Sequence, residues 1–178
     1  MKKLTHLGIL GLILFLGRIQ AQFASTGTTT VSVTVGSEAA IQINTATTTL
    51  TTAATTFADY TGTTNLTYKI RTTQGSGTGT ITLRVTTDFS PAGGPSVASP
   101  PTAGDLLQYT CTVASPGTAC AGTQTASTSS DTSVGTFGAD ARSTAAGNSG
   151  SVAWTLTNDP VYKTGTYTAT VTFTISAT

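Results

Sequence analysis

Strict alternation of apolar and polar side chains marks the end of the chain, residues 165–178. One set of alternate positions is apolar, and the other set is almost entirely threonine. Because side chains of a β-strand point to opposite faces with a period of two, this pattern predicts a long strand with one buried face. The side chains predicted to face the core are Tyr167, Ala169, Val171, Phe173 and Ile175.

The same alternation recurs through the chain and predicts an all-β protein. The glycine-rich link at 75–79 is expected to join its two flanking strands into a β-hairpin, whereas 89–104 and most of 114–150 are expected to be loops. About seven strands predict an immunoglobulin-like β-sandwich, with room for completion by a donated strand. The other predicted strands are 28–35, 39–43, 66–70, 81–85, 107–113 and 152–156, with a weaker one at 133–137.

The first 21 residues have the organisation of a secretory signal peptide. Lys2 and Lys3 precede an apolar run at 7–17 that is short for a membrane span, and Ala21 suits the residue before a cut. An uncleaved N-terminal anchor is the alternative. The expected division is therefore a signal peptide at 1–21, an N-terminal extension at 22–36 and one sandwich domain at 37–178. The expected location is extracellular or at the cell surface, without a membrane span after cleavage.

Charge and composition limit the classes of partner that the chain is expected to bind. The leader carries the only histidine, His6, and three of the eight basic residues, so the remaining chain has five basic and seven acidic side chains. A weakly acidic surface has no electrostatic footprint for nucleic acid. The abundance of threonine favours strands, since threonine is β-branched yet polar enough to face water.

Two cysteines, Cys111 and Cys120, remain outside the leader. In an oxidising compartment a pair this close in sequence is expected to form a disulfide, with two free thiols as the alternative. A metal site is disfavoured because two thiols without histidine make a poor ligand set.

The chain offers few groups for catalysis, so the sequence predicts neither an enzyme nor a cofactor. Without histidine a Ser-His-Asp or Cys-His arrangement cannot form. Three weaker alternatives remain: a spatial pair of carboxylates for glycoside cleavage, an internal amide bond from Lys69 or Lys163, and ice binding by threonine arrays.

The alternating segment at 28–35 has a second interpretation besides being the first strand of its own sandwich. An extended peptide can add to an exposed sheet edge, where main-chain hydrogen bonds give affinity and alternate side chains give register. A donor strand of this kind would use Thr29, Val31, Val33 and Val35.

Both ends of the chain resemble one family. The ending Gly165-Thr-Tyr-Thr-Ala-Thr-Val-Thr-Phe173 is similar to the last strand of spore-coat-U-like and archaic chaperone–usher pilin domains, and 28–35 is similar to their donor strands. The resemblance implies a subunit of a secreted pilus or filament that polymerises head to tail with copies of itself. It also implies an assembly chaperone or an outer-membrane pore as further partners. The alternative is a self-contained surface or matrix β-sandwich for adhesion or ligand binding.

Overall fold

The computed structural model describes residues 25–53 and 56–178, and in that part of the chain it contains nine β-strands and no helix. The signal peptide predicted at 1–21 lies outside the described residues. The strands are β1 (Glu38–Ile43), β2 (Tyr60–Arg71), β3 (Gly79–Ser90), β4 (Leu107–Val113), β5 (Thr118–Ala119), β6 (Gln124–Thr125), β7 (Thr132–Phe137), β8 (Asn148–Leu156) and β9 (Thr168–Ala177).

Two antiparallel sheets form a β-sandwich, which confirms the predicted fold class. The first sheet has five strands in the order β1-β2-β8-β4-β6, and the second has four in the order β5-β7-β3-β9. β1 and β9 are therefore edge strands, each hydrogen-bonded to a single named strand, and they lie opposite each other across the core. β5 and β6 are the edge strands on the other side of the sandwich.

The core lies between the central strands of the two sheets. Alternate residues of β2, β3 and β8 point inward and are almost fully buried, as the sequence pattern requires. The Trp154 indole packs against Tyr109 with a ring-centroid distance of 5.3 Å, and its Nε1 donates to Thr64 Oγ1 at 2.9 Å. Burying the indole therefore leaves its N–H satisfied, which avoids the desolvation penalty of an unpaired donor.

The predicted hairpin between the strands at 66–70 and 81–85 is wrong. β2 pairs with β1 and β8, whereas β3 pairs with β7 and β9, so the link between them crosses from one sheet to the other. Each strand has one apolar face, and these faces meet across the core instead of lying side by side. Alternation identifies the buried face of a strand but does not identify the strand it pairs with.

The region at 114–150 contributes more to the fold than its small side chains indicate. Its strand β7 buries Val134 and Phe137, and β5 and β6 are two-residue strands that join the sheets at one edge. The predicted disulfide is confirmed: Cys111 of β4 is bonded to Cys120, directly after β5. This edge of the sandwich is therefore closed by a covalent link between the two sheets.

The chain divides into two units, Met1–Thr34 and Val35–Thr178. In the first unit, the described residues 25–34 form no strand and are exposed. The second unit contains all nine strands. No helix among the described residues is long and apolar enough to cross a membrane.

Loss of the disulfide should destabilise the sandwich without changing its fold. Because the closed loop is short, the chain-entropy model gives a stabilisation of about 2.5–3 kcal/mol, which Cys111→Ala with Cys120→Ala should remove. Urea unfolding of the variant and of the original chain would measure the difference. The reduced original chain should match the variant, and an unchanged unfolding midpoint would contradict the account.

Candidate strand-docking groove

The edge strands β1 and β9 lie close to each other along the open side of the sandwich. The apolar side chains that these strands direct into the sandwich are only partly buried there, and we call this surface the docking groove. On β1 the groove residues are Ala39 and Ile41, followed in the same alternation by the exposed Ile43, and on β9 they are Ala169, Val171, Phe173 and Ile175.

Burial falls sharply from the centre of the second sheet to this groove. Leu83 of β3 is opposite Phe173 of β9 in the antiparallel register, yet Leu83 is 1% exposed while Phe173 is only half-buried. Ile81 and Ile175 form the next pair and show the same contrast. The β9 side chains are covered by β3 on one side, and within the described residues no hydrogen-bonded strand lies on the other side, where β1 of the opposite sheet approaches. The groove is thus an incompletely covered part of the core.

The backbone of β9 is also unpaired along its outer edge within the described chain. In an antiparallel strand alternate residues direct their N–H and C=O groups to opposite sides, so half of those on β9 face away from β3. Proteins usually protect such edges with charged side chains, proline or very short strands. β5 and β6 have only two residues each, but the ten residues of β9 include no charge and no proline. This long, unprotected edge is suited to pairing with another strand.

The outer face of β9 holds the strand firmly on β3. Threonine and serine hydroxyls pair across the two strands, including Thr86 with Thr172 at 3.0 Å and Thr80 with Ser176 at 3.0 Å. Such cross-strand pairs contribute about 0.2–1 kcal/mol each. The polar half of the alternation therefore fixes β9 in place, while the apolar half remains available in the groove.

Tyr167 lies just before β9 and not within it. Its hydroxyl donates to the Lys163 carbonyl at 2.7 Å, and its ring lies so close to Gly94 that an added Cβ would be 2.4 Å from it. The aromatic ring thus anchors the start of β9 to the loop that follows β3. The other four predicted C-terminal core residues lie within β9, face the groove and are half-buried.

The two ends of the sandwich differ in what they carry. We call the end where β1 begins and β9 finishes the exit end, because the N-terminal extension leaves the domain there; the β2–β3, β4–β5 and β7–β8 connections share it. The far end contains the β1–β2, β3–β4, β6–β7 and β8–β9 connections.

Arg71 fixes the point where the extension leaves the domain. Its Nε donates to the Gly36 carbonyl at 2.6 Å, and its guanidinium pairs with Glu38 at 3.2 Å. Arg142 lies beside it and pairs with Asp140 at 2.9 Å. Lys69, two residues before Arg71, is exposed. An internal amide bond gains no support here, since Lys69 is exposed and Glu38 is engaged by Arg71.

The far end is acidic. The hydrogen bonds from Thr102 and from the Val161 N–H lower the pKa of Asp159. Burial raises the pKa of the Tyr162 phenol, and the neighbouring Asp105 and Asp159 carboxylates raise it further. The phenol therefore stays protonated at neutral pH and adds no charge to this end.

Asp88, near the end of β3, organises the loop that follows it. Burial alone would raise its pKa, but hydrogen bonds from the Val97 N–H at 2.7 Å, the Ser96 hydroxyl at 2.7 Å and two further backbone N–H groups lower it below its ordinary value. Its carboxylate is a structural anchor. Among residues 25–53 and 56–178 no group of three or more histidine, cysteine or acidic side chains could hold a metal ion.

The predicted donor residues lie outside every strand of the described chain. Val31, Val33 and Val35 are 90%, 85% and 62% exposed, and residues 25–37 have no regular secondary structure. Residues 28–35 form no β-strand in this structure. Sequence reasoning missed the β1 wall of the groove as a site, although the alternation of Ala39, Ile41 and Ile43 was its signal.

Comparison with known proteins does not assign the chain to a family. No family model matches the chain, no curated protein matches its sequence, and no solved structure matches its fold. The structural evidence that bears on function therefore lies in the groove.

Two matched truncations should reveal the incomplete cover of the groove. Leu83→Ala removes a fully buried side chain and should cost about 2–5 kcal/mol in the free energy of unfolding. Phe173→Ala removes a larger side chain but should cost clearly less in the dilute, unassembled chain, because Phe173 is only half-buried. Urea unfolding at low protein concentration measures both. A larger cost for Phe173→Ala than for Leu83→Ala would show that the groove is already filled.

Proposed function

We propose that this chain is the structural subunit of a secreted bacterial filament or pilus, which polymerises by donor-strand complementation. The N-terminal segment of one subunit occupies the docking groove of the next. One observation carries the proposal: β9 combines an unpaired ten-residue edge with a half-buried apolar groove. The same chain carries an exposed segment with the alternation that such a groove requires.

The donor and the groove are chemically matched. Val31, Val33 and Val35 share one face of an extended segment, and the side chains of β1 and β9 that line the groove are also aliphatic or aromatic. Burial of each valine would contribute about 1.5–2 kcal/mol, and the backbone of the donor would pair with the free edge of β9. Thr30, Ser32 and Thr34 would then face water, as the threonines of β9 do.

The direction of the donor strand decides whether subunits form a polymer. The extension leaves a subunit at its exit end, and β9 runs from the far end to the exit end. A donor antiparallel to β9 has its C-terminal residue at the far end of the acceptor, so exit end meets far end and the contact repeats without closing. A donor parallel to β9 would bring two exit ends together, and two subunits could exchange strands and close as a dimer. A filament therefore requires the antiparallel direction.

A secreted location fits the covalent structure. The sandwich contains a disulfide between its two sheets, and such bonds persist in oxidising compartments outside the cytoplasm. An assembly chaperone would have a clear task here, since the free edge of β9 must be covered until a neighbour's segment arrives.

Two defective variants of the chain after residue 21 test the proposal by complementation. Val31→Asp with Val33→Asp places charge on the donor face, and Phe173→Asp places charge in the groove. Each variant alone should give no filaments by electron microscopy. An equimolar mixture should give a dimer by size exclusion, because the intact donor of the second variant enters the intact groove of the first.

Matched controls change the opposite face of the same segments. Ser32→Asp with Thr34→Asp in the donor, and Thr174→Asp in β9, introduce the same charges where the proposal places water, so both variants should still form filaments. Circular dichroism checks that the Phe173→Asp variant is folded. A stable monomer of the original chain at all concentrations, or filaments from the donor-defective variant alone, would contradict the proposal; the former would favour a self-contained surface β-sandwich.

A further inference from the structure

We propose that successive subunits also meet through their ends, with the acidic far end of one subunit bound to the cationic exit end of the next. This contact rests on the proposed strand donation, but it involves surfaces outside the groove. It is carried by the length of the linker and by the distribution of charge over the two ends.

The linker is too short to hold neighbouring subunits apart. Only Gly36 and Ser37 separate Val35, the last donor residue, from the first residue of β1. The three steps from Val35 to Glu38 span at most about 11 Å, and Arg71 holds the Gly36 carbonyl against the domain. A donor seated as far as Val35 therefore places the exit end of its own domain directly on the far end of the acceptor.

Most acidic side chains of the domain lie at the far end. It carries five aspartates, of which Asp105 is buried, and one lysine, so its net side-chain charge is negative. Asp59 in the β1–β2 connection and Asp131 before β7 are exposed, and no ion pair involves either in the described part of the chain. The far-end charges are Asp59, Asp88, Asp105, Asp131, Asp159 and Lys163.

Three of the five basic side chains beyond the leader surround the exit of the extension: Lys69, Arg71 and Arg142. Arg71 pairs with Glu38, and Arg142 pairs with Asp140. Lys69 forms no ion pair in the described part of the chain, so the side chains of this end carry a net charge of +1. A shallow depression of about 420 Å³ is lined by these three cations, by the Glu38 carboxylate that Arg71 engages and by small side chains such as Ala145. The exit end thus combines positive charge with a concave surface.

The far end also has apolar side chains that a neighbour would cover. Phe57 and Val161 are 64% and 58% exposed, and Phe57 has the unusual φ of +36°. Exposed aromatic side chains are enriched at protein interfaces, where they supply contact area at a low entropic cost. A second copy of this chain is the partner that the charges favour, because the complementary cations lie at the exit end of the same chain.

The charge pattern agrees with the direction of donation that a filament needs. Antiparallel donation brings aspartates towards Lys69, Arg71 and Arg142 of the next subunit, whereas parallel donation would bring two sets of these cations together. Opposite charges across an interface speed association and suppress wrong pairings. The ends therefore select the polymer over the closed dimer.

Charge reversal with rescue tests this contact in the full chain after residue 21. Lys69→Glu with Arg142→Glu should slow filament elongation at least about tenfold at low ionic strength, and the difference should shrink in high salt, where surface charges are screened. Asp59→Lys with Asp131→Lys should have the same effect. Combining all four changes should restore the rate to within about threefold. Light scattering and electron microscopy measure elongation and filament length.

Arg84→Glu is the matched control for the cationic end, because Arg84 is an exposed cation on β3, in the opposite sheet from Lys69 and Arg71. Its elongation rate should stay within about twofold of the original. Filaments that form at the original rate despite Lys69→Glu with Arg142→Glu would overturn the end contact and leave strand donation intact. A four-change variant that stays as slow as its parents would also overturn it. Failure of the original chain to polymerise would instead remove strand donation, and the end contact with it.

Discussion

The rest of the structure is arranged around the outer side of β9, which pairs with no strand in the described part of the chain. Backbone polar groups and apolar side chains both need partners, and on this edge neither set is complete. Phe173 and Ile175 are half-buried beside Leu83 and Ile81, which are almost fully buried. A strand placed along β9 would satisfy both needs at once. Our proposal assigns that place to the N-terminal segment of a neighbouring subunit.

The two sides of the sandwich differ in how their edge strands are protected. At one edge the sheets are joined by very short strands and by the Cys111–Cys120 disulfide, which leaves little backbone available to another chain. At the other edge β1 and β9 face each other without a connection between them. Because the closed edge stabilises the domain independently, the open edge can remain incomplete while the remaining sandwich holds its shape. The hydroxyl pairs between β3 and β9 serve the same purpose, since they fix β9 without covering the groove.

Much of this fold could be predicted from alternation, because alternation reports which face of a strand is buried. Alternation predicted the all-β class and the positions of most of the long strands. The close spacing of the two cysteines predicted their disulfide. Alternation could not assign β2 and β3 to different sheets, since pairing depends on contacts distant in sequence. It also understated 114–150, where Val134 and Phe137 are buried among small residues that carry no clear period. The half-burial of β9 could not be predicted, because a strand with a missing neighbour has the same pattern as a complete one.

Magic-angle-spinning NMR on filaments assembled from an equimolar mixture of two chains can show whether the N-terminal segment of one subunit lies against β9 of another. One chain would carry ¹³C in its valines and the other ¹³C in its phenylalanines, so that contacts between Val31 or Val33 and Phe173 can arise only between subunits. Our account predicts such contacts in the mixed filaments and their absence from the dilute, unassembled chain. Filaments without these contacts, or a monomer in which a uniformly labelled chain shows them within itself, would contradict it.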